Sequence, residues 1–406
     1  MSKAISIVAL LGLLLLPKML PAQGVSIPLA FQWTSGDQFR YYGTGVQKAY
    51  INGRLVQTTL QTYKVSYSVT AVDATGKGLL KGHIVFLSDS DRRQGAKAIS
   101  QEFDTAYSVD RLGRYTVPTD DVMPVVRHVP TFPDHAIKPG DTWTAKGEEV
   151  HDLREDFGVD KLLHIPIDVR YTDLGPQLKN GRTLEVISSD YNIYANTGFT
   201  SSTKGAWPVV LSGYSHQKHF FNKEKGEEEG YEEEYTLVLT MNNQDVYEFG
   251  GDGASQMTEA LSMNKPQMAA EVKKALADSG MPDVQVTQAE KGVVINLDNI
   301  LFPADSAVLL PSEQEKIRLI GQILKKYSDR DILVEGHTAL AGTAEQRQKL
   351  SRDRAAAVGN QLVRQGVRTS EKLVYRGWGA EHPVAPNDTE AHKQKNRRVE
   401  ITILEN

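Results

Sequence analysis

The feature that most constrains the fold is a long region, from Val25 to about Tyr247, in which segments of alternating apolar and polar residues follow one another. This alternation has the two-residue period of strands that bury one face. It is clearest in residues 63–69, 165–171 and 235–241. The segments are separated by turn signals such as Asn52-Gly53, Ala74-Thr75-Gly76 and Lys179-Asn180-Gly181. The pattern predicts an antiparallel all-β domain, either a sandwich or barrel-like.

Prolines bear on whether this region could form a barrel in a membrane. They crowd one segment, at Pro118, Pro124, Pro130, Pro133 and Pro139, and Pro166 interrupts a strand pattern. A strand in the middle of a sheet cannot spare the hydrogen-bond donor that proline removes, and a closed lipid-facing barrel contains only such strands. We therefore expect a soluble periplasmic β domain, with a membrane barrel as the alternative.

Composition excludes one class of partner. The chain has 406 residues, of which 24% are charged and 40% hydrophobic, an ordinary globular composition that is long enough for two or three domains. Its formal net charge is -5. Nucleic-acid binding requires a basic face that neutralises phosphates, so we expect no nucleic-acid partner.

The N-terminus has the pattern of a secretory signal peptide. Lys3 precedes an apolar run over residues 5–16, and Leu20-Pro21-Ala22 supplies a small-residue cleavage site after Ala22, with cleavage after Gly24 as the alternative. That run, like every other in the chain, is shorter than the ~18 apolar residues of a membrane-spanning helix. The chain has no cysteine, which removes disulfides, thiolate metal ligands and the lipidated cysteine of a lipoprotein. We expect an exported, non-acylated protein in the periplasm or associated with the outer membrane.

Periodicity changes after the alternating region. Gly250-Gly251-Asp252-Gly253 is the predicted linker, and helices are predicted over residues 255–263, over residues 266–278 and from Pro311. Ser312 and Glu315 have the spacing of a capping box. Strands are predicted at residues 284–286, 293–297, 373–375 and 399–403. Strands that alternate with helices indicate a compact α/β unit. The predicted boundaries are 1–22 for the signal peptide, 23–249 for the β-rich periplasmic domain, 250–264 for a linker and short helix, and 265–406 for the α/β domain.

The sequence offers no catalytic motif. It contains no phosphate-binding glycine loop, no nucleophile elbow and no H-E-x-x-H motif, and no carboxylate spacing singles out a hydrolytic pair. His216 and His219 are three residues apart, but in a strand-rich region such a pair is far more often two surface histidines than a metal site. Residues 223–234 are strongly acidic and predict a solvated hairpin tip or loop. We expect a non-catalytic protein with no cofactor and no metal site.

A compound motif lies near the C-terminus. It consists of Val334-Glu335-Gly336-His337-Thr338, Gly342, Leu350-Ser351, Arg354-Ala355, Gly377-Trp378-Gly379, Pro383, Asn387 and Asn396-Arg397-Arg398-Val399-Glu400. In this order the residues resemble the signature of the OmpA-like, peptidoglycan-associated domain, over about residues 265–406. The resemblance implies a mixed four-stranded sheet with helices packed on one face.

The resemblance also implies a binding site. In that family a loop Asp takes the ammonium, and a helix Arg takes the carboxylate, of the diaminopimelate in the cell wall. Here the helix Arg is Arg354, but the Asp is replaced by Ala339 and a usual Asn by Arg347. The candidate peptidoglycan-binding residues are Arg354, Thr338, Ala339, Leu340, Arg347 and Arg398. From the residues alone, Arg354 could equally lie at a helix edge and pair with Glu345 or Asp353.

Three functions stay open at this stage. The first is a structural protein at the cell wall or outer membrane, whose binding to peptidoglycan is weakened or lost and whose β domain contacts another envelope protein. The second is a protein-interaction scaffold built on a degenerate C-terminal domain. The third is a periplasmic carrier whose β domain holds a lipid or small ligand, which would leave no linear motif.

Overall fold

The computed structural model describes residues 28–88, 95–199, 205–258, 263–298, 302–303 and 306–405. The predicted signal peptide lies outside these residues. The N-terminal half contains β1 (Gln38–Ile51), β2 (Arg54–Val72), β3 (Gly78–Ser88), β4 (Lys97–Val109), β5 (Tyr115–Thr116), β6 (Val126–Arg127), β7 (Thr142–His151), α1 (Arg154–Phe157), β8 (Leu163–Lys179), β9 (Arg182–Asn196), β10 (Pro208–Asn222), β11 (Glu227–Met241) and β12 (Val246–Thr258). The C-terminal half contains α2 (Lys265–Asp278), β13 (Gln285–Ala289), β14 (Gly292–Asp298), α3 (Pro311–Leu324), β15 (Ile332–Gly336), α4 (Ala344–Arg364), β16 (Leu373–Gly377), α5 (Glu390–Asn396) and β17 (Arg398–Leu404).

The N-terminal half is a long antiparallel sheet, as the alternation predicts. Its strands lie in the order β6-β7-β8-β9-β10-β11-β12-β1-β2-β3-β4-β5. The predicted Asn-Gly turns join β1 to β2 and β8 to β9. Asn52 and Asn180 both have φ of 51°, and Gly53 and Gly181 both have φ of 77°. Positive φ at both central residues is what a two-residue hairpin with the twist of its strands requires.

Part of the sheet encloses a packed core, and part of it surrounds a cavity. Ile165, Ile167, Val169 and Tyr171 of β8 are almost completely buried, as the period-two pattern predicts. Tyr63, in the same kind of pattern on β2, is only partly buried. It lines an internal cavity together with residues of β3, β4, β10 and β11. The sheet must therefore curl so that strands far apart in its order face one another.

The predicted linker is wrong for Gly250 to Gly253, because these residues lie inside β12 and pair with both β1 and β11. A Cβ atom on Gly251 would lie 2.0 Å from the carbonyl oxygen of Val46. Glycine is needed here for the close approach of two strands rather than for flexibility. The helix predicted over residues 255–263 is also wrong up to Thr258, where β12 ends, and residues 259–262 lie outside the described part.

The acidic segment is a hairpin tip only in its first residues. The turn spans residues 223–226, and Glu227 already begins β11. Within this strand Glu232 and Glu234 are exposed, whereas Glu233 faces the cavity. The acidic run is therefore largely a strand, and Glu227, Glu228 and Glu233 line the cavity.

The C-terminal half is an α/β unit with a mixed sheet. Strands β14, β17, β15 and β16 form the four-stranded sheet, with β15 and β16 parallel, and β13 extends it at one edge. Val272 of α2, Ile317 of α3 and Val358 of α4 pack with Val334 and Ile401 in one core. All five are completely buried. None of the helices that the structure describes is long and apolar enough to cross a membrane.

The starts of the helices agree less well with the prediction from sequence than the strands do. The N-cap of α3 is Leu310, with Pro311 in the first turn and no capping side chain, so the capping box predicted at Ser312 and Glu315 is wrong. Helix α4 has a complete capping box, in which Thr343 and Gln346 bond each other's backbone N–H groups. This box fixes the start of the helix that carries Arg354.

The two halves are in direct contact. The first residues of β4, Lys97 and Ala98, pair in parallel with Val374 and Tyr375 of β16. On the sheet face opposite the helices, Leu333 and Val374 pack against Leu87 of β3. The β region therefore covers an edge and part of one face of the C-terminal sheet.

Candidate functional site

The candidate site is built at the carboxyl end of β15. Ile332, Leu333 and Val334 are buried in the sheet, and the chain leaves it at Gly336. A Cβ atom on Gly336 would lie 2.1 Å from the backbone oxygen of Ser351, so only glycine lets α4 approach the strand this closely. The loop of residues 337–343 therefore starts directly against the helix that carries Arg354.

Two hydrogen bonds fix Thr338 in this loop. Its backbone N–H donates to the carbonyl oxygen of Gly379 at 2.7 Å, and the N–H of Gly379 donates to Ser351 Oγ at 2.9 Å. The side-chain oxygen of Thr338 is buried and has no hydrogen-bond partner among the residues that the structure describes. A hydroxyl can both donate and accept a hydrogen bond, so this buried group retains both capacities.

Ala339 and Leu340 differ sharply in exposure. Ala339 is 4% exposed and Leu340 is 57% exposed. The backbone N–H of Leu340 donates to Asn387 Oδ1 at 2.9 Å, and that oxygen also accepts from Asn396 Nδ2 at 3.1 Å. Asn387 and Asn396 are known from the sequence only as parts of the motif. The structure shows that they hold the loop in place.

Arg354 is only 9% exposed, so it is more buried than expected for an arginine at the edge of a helix. Its Nε donates to the carbonyl oxygen of Ser306 at 3.0 Å, and its guanidinium lies 4.9 Å from the ring centroid of Phe302. Asp353, one of the alternative partners considered for it, forms an ion pair with Lys349 at 2.5 Å. The segment before α3 thus orients the guanidinium through a hydrogen bond and an aromatic face.

Arg347 and Arg398 are held by backbone carbonyls. Arg347 Nη1 donates to the oxygen of Gly342 at 2.6 Å, which closes the loop onto the first turn of α4. Arg398 is 4% exposed, and its Nε donates to Glu400 at 2.7 Å while both terminal nitrogens donate to His382 O at 3.2 Å. These bonds make Arg398 a support of the site, and a contact with ligand stays a prediction.

His337 lies beneath the loop as a neutral imidazole. It is 4% exposed, and its two ring nitrogens have no hydrogen-bond partner in the described residues. Burial, and then the positive charge of Arg398, lower the pKa of His337 to about 3. The carboxylate of Glu400 is 3.9 Å away, but at neutral pH the uncharged ring forms no ion pair with it.

A charged network connects the site with the β region. The carboxylate of Glu335 accepts from Arg376 Nε and from Trp378 Nε1, both at 2.8 Å. Arg376 also bonds Glu102 of β4, and it lies 4.2 Å above the ring of Trp378. Glu335 is part of the motif, whereas no signal in the sequence singles out Glu102.

The histidine pair in the β region has a different role from the one expected. His216 is exposed and bonds Asp190, but His219 is 3% exposed and bonds Glu228 and Ser189. His219 is therefore not a surface histidine. No group of three or more potential metal ligands occurs within the described residues.

Thr338 is thus connected through Gly379 to Ser351 of α4, the helix that also carries Arg347 and Arg354. A protein-family model described as the OmpA family matches residues 301–397, which contain the loop, Arg347, Ser351 and Arg354 and end one residue before Arg398. The identity with the probable lipoprotein YiaD of Escherichia coli is 34% over 121 residues, which cover 30% of this chain and 55% of that protein. The chain therefore spans about half the length of this relative.

Two further matches cover most of the other protein. The peptidoglycan-associated lipoprotein of Agrobacterium fabrum is 33% identical over 156 residues, 36% of this chain and 84% of that protein. The structure of an outer membrane protein from Borrelia burgdorferi shares 36% identity over 30% of this chain and 96% of that chain, with a TM-score of 0.25. Proteins of the OmpA family are non-catalytic envelope proteins that bind peptidoglycan. Through its C-terminal part, the chain belongs to the OmpA family.

Proposed function

We propose that this protein is an exported envelope protein with a structural role at the cell wall or outer membrane, and that its C-terminal domain binds peptidoglycan through Arg354 and the Thr338 loop. The names of the relatives support a wall-associated role, and the sequence of residues 1–22 supports export. The same proposal includes a weakened capture of wall peptides that contain diaminopimelate.

The observation that carries the proposal is the position of Arg354. A guanidinium oriented by Ser306 and Phe302 loses little further freedom when it binds. A planar donor fork is the side chain that best matches a carboxylate, and its charge strengthens the hydrogen bonds. The unpartnered hydroxyl of Thr338 adds a neutral polar group on the loop that is fixed to the same helix.

The weakened capture follows from Ala339. Its buried methyl group supplies no acceptor for an ammonium group. The charge of Arg347, bonded to the same loop, further disfavours a cation and favours a carboxylate. Such a site would hold diaminopimelate peptides weakly, or would suit a wall peptide whose third residue is a different diamino acid.

The missing acceptor also supports a second candidate. If the site no longer holds the wall, the C-terminal domain becomes a scaffold for protein interaction, and the β region meets another envelope component. The contact of the two halves through the pairing of β4 with β16 is compatible with both functions.

Co-sedimentation of the mature protein with purified sacculi separates the two. We expect binding that decreases from low to moderate salt, is lost in Arg354→Ala and persists in Arg364→Ala, an exposed arginine on the same helix. Absence of binding at low salt would favour the scaffold. Equal binding by wild type and Arg354→Ala would place the wall contact elsewhere.

A further inference from the structure

The β region contains a cavity of about 470 Å³. Its walls come from strands on both arms of the curled sheet, and residues 123–126 contribute to its lining. This volume lies within the range of roughly 300–1,000 Å³ that is common for small-molecule sites. It is far larger than the water-sized voids that a packed core retains.

A ladder of tyrosines forms one wall of the cavity. The ring centroids of Tyr41 and Tyr67 are 6.5 Å apart, those of Tyr67 and Tyr107 are 5.9 Å apart, and those of Tyr107 and Tyr115 are 5.4 Å apart. Burial raises the pKa of all four phenols, which keeps them neutral. The faces of neutral aromatic rings carry negative potential and attract cations.

Four carboxylates share the lining with these rings, from Glu149, Glu227, Glu228 and Glu233, and two of them are held by histidines. Glu149 accepts from the hydroxyl of Tyr191 at 2.8 Å and contacts His151 Nε2 at 2.7 Å. Glu228 Oε1 lies 2.7 Å from His219 Nδ1. These bonds fix the two carboxylates against the wall.

Glu233, another carboxylate of the lining, is bonded to two neutral side chains. Its Oε1 accepts from Ser215 Oγ at 2.8 Å and from Gln217 Nε2 at 3.0 Å. Burial raises the pKa of Glu233, and a cationic group placed beside it would favour its charged form.

The lining discriminates against anions. It includes these four carboxylates, and none of its described residues is lysine or arginine. The remaining surface is largely apolar and includes Leu80, Ile84 and Phe86. A fatty acid would find apolar walls but no cation for its head group, whereas an amine finds both kinds of partner.

We propose that this cavity binds a small amphipathic amine, whose ammonium group meets Glu233 while its apolar part lies against the aliphatic and aromatic wall, which includes the tyrosine ladder. This site is separate from the Arg354 site and does not depend on peptidoglycan binding.

The test is calorimetry of the full mature protein with octylammonium and octanoate, which share an apolar chain and differ in the charge of the head group. Two variants accompany the wild type. Glu233→Gln keeps the shape and the acceptor for Ser215 but removes the charge, and Glu234→Gln removes an exposed carboxylate from the adjacent position of the same strand.

We expect octylammonium to bind in preference to octanoate, Glu233→Gln to weaken its binding by about 10- to 100-fold, and Glu234→Gln to leave it unchanged. Circular dichroism establishes that the variants fold. If Glu233→Gln does not fold, the proposal is tested by comparing the binding of octylammonium and octanoate to the wild type. Absence of octylammonium binding, equal binding of octanoate, or unchanged binding by a folded Glu233→Gln would each overturn the proposal.

Discussion

Lys64 of β2 and Asp331, immediately before β15, form an ion pair across the two halves of the protein, with 2.5 Å between Lys64 Nζ and Asp331 Oδ2. Their side chains are 23% and 16% exposed, so the pair is partly shielded from solvent. It lies at the same junction as the strand pairing between β4 and β16. The C-terminal domain is thus attached to the β region by a charge pair as well as by a shared sheet edge.

We predict that this ion pair contributes measurable coupling. A double-mutant cycle with Lys64→Met and Asp331→Asn, followed by denaturant unfolding, should give a coupling free energy of about 1 kcal/mol. The matched control is Lys146 and Asp168, a pair at 2.6 Å whose side chains are 82% and 76% exposed, for which we expect coupling near zero. Equal coupling free energies for the two pairs would show that burial at the junction does not strengthen the ion pair.

Gly251 should tolerate no side chain. Because a Cβ atom there would lie 2.0 Å from Val46 O, Gly251→Ala should lower the free energy of unfolding by about 1–3 kcal/mol. At Gly253 the nearest atom, Thr44 O, lies 3.6 Å away, so Gly253→Ala should be neutral or slightly stabilising. Thermal unfolding of both variants checks this. If the two variants were equally stable, the interpretation of residues 250–253 as a flexible linker would be favoured again.

His337 should make stability depend on pH. Its pKa falls from 6.5 to about 3 on folding, so between these values the unfolded chain binds a proton that the folded chain does not. The free energy of unfolding therefore decreases as pH falls from about 6.5 towards about 3, by up to about 1.4 kcal/mol per pH unit from this group.

Denaturant unfolding across this pH range tests the assignment. His337→Gln should show a shallower loss of stability than the wild type, whereas His135→Gln, at an exposed position, controls for the removal of a histidine. Identical slopes for His337→Gln and the wild type would mean that His337 is not the buried neutral group described here.

Local patterns predicted much of the fold because their partners lie nearby in the sequence. The stripe of Ala269, Val272 and Leu276 is buried on α2, as its spacing predicts, because the helical period alone brings these side chains to one face. The Asn52-Gly53 turn follows in the same way from backbone preference. The C-terminal motif combines several such local signals with a known family pattern.

Features that depend on distant strands could not be predicted. The role of Gly251 is set by Val46, about two hundred positions earlier in the chain, and the role of Arg376 depends on Glu102. The cavity could not be predicted for the same reason, since Tyr67 and Glu233 line one cavity only when the sheet curls. In the site, Arg354 was predicted from the family pattern, but its contact with Ser306 depends on a segment that precedes α3.

The most direct test of the site is calorimetry of a wall fragment containing diaminopimelate with wild type, Ala339→Asp and Arg354→Ala. A charge-assisted hydrogen bond is worth about 1.5–3 kcal/mol, so restoring the carboxylate should strengthen binding by roughly 10- to 100-fold. We predict weak binding by the wild type, this gain in Ala339→Asp and loss of binding in Arg354→Ala. Tight wild-type binding that is unaffected by Arg354→Ala, or no gain from Ala339→Asp, would contradict the account.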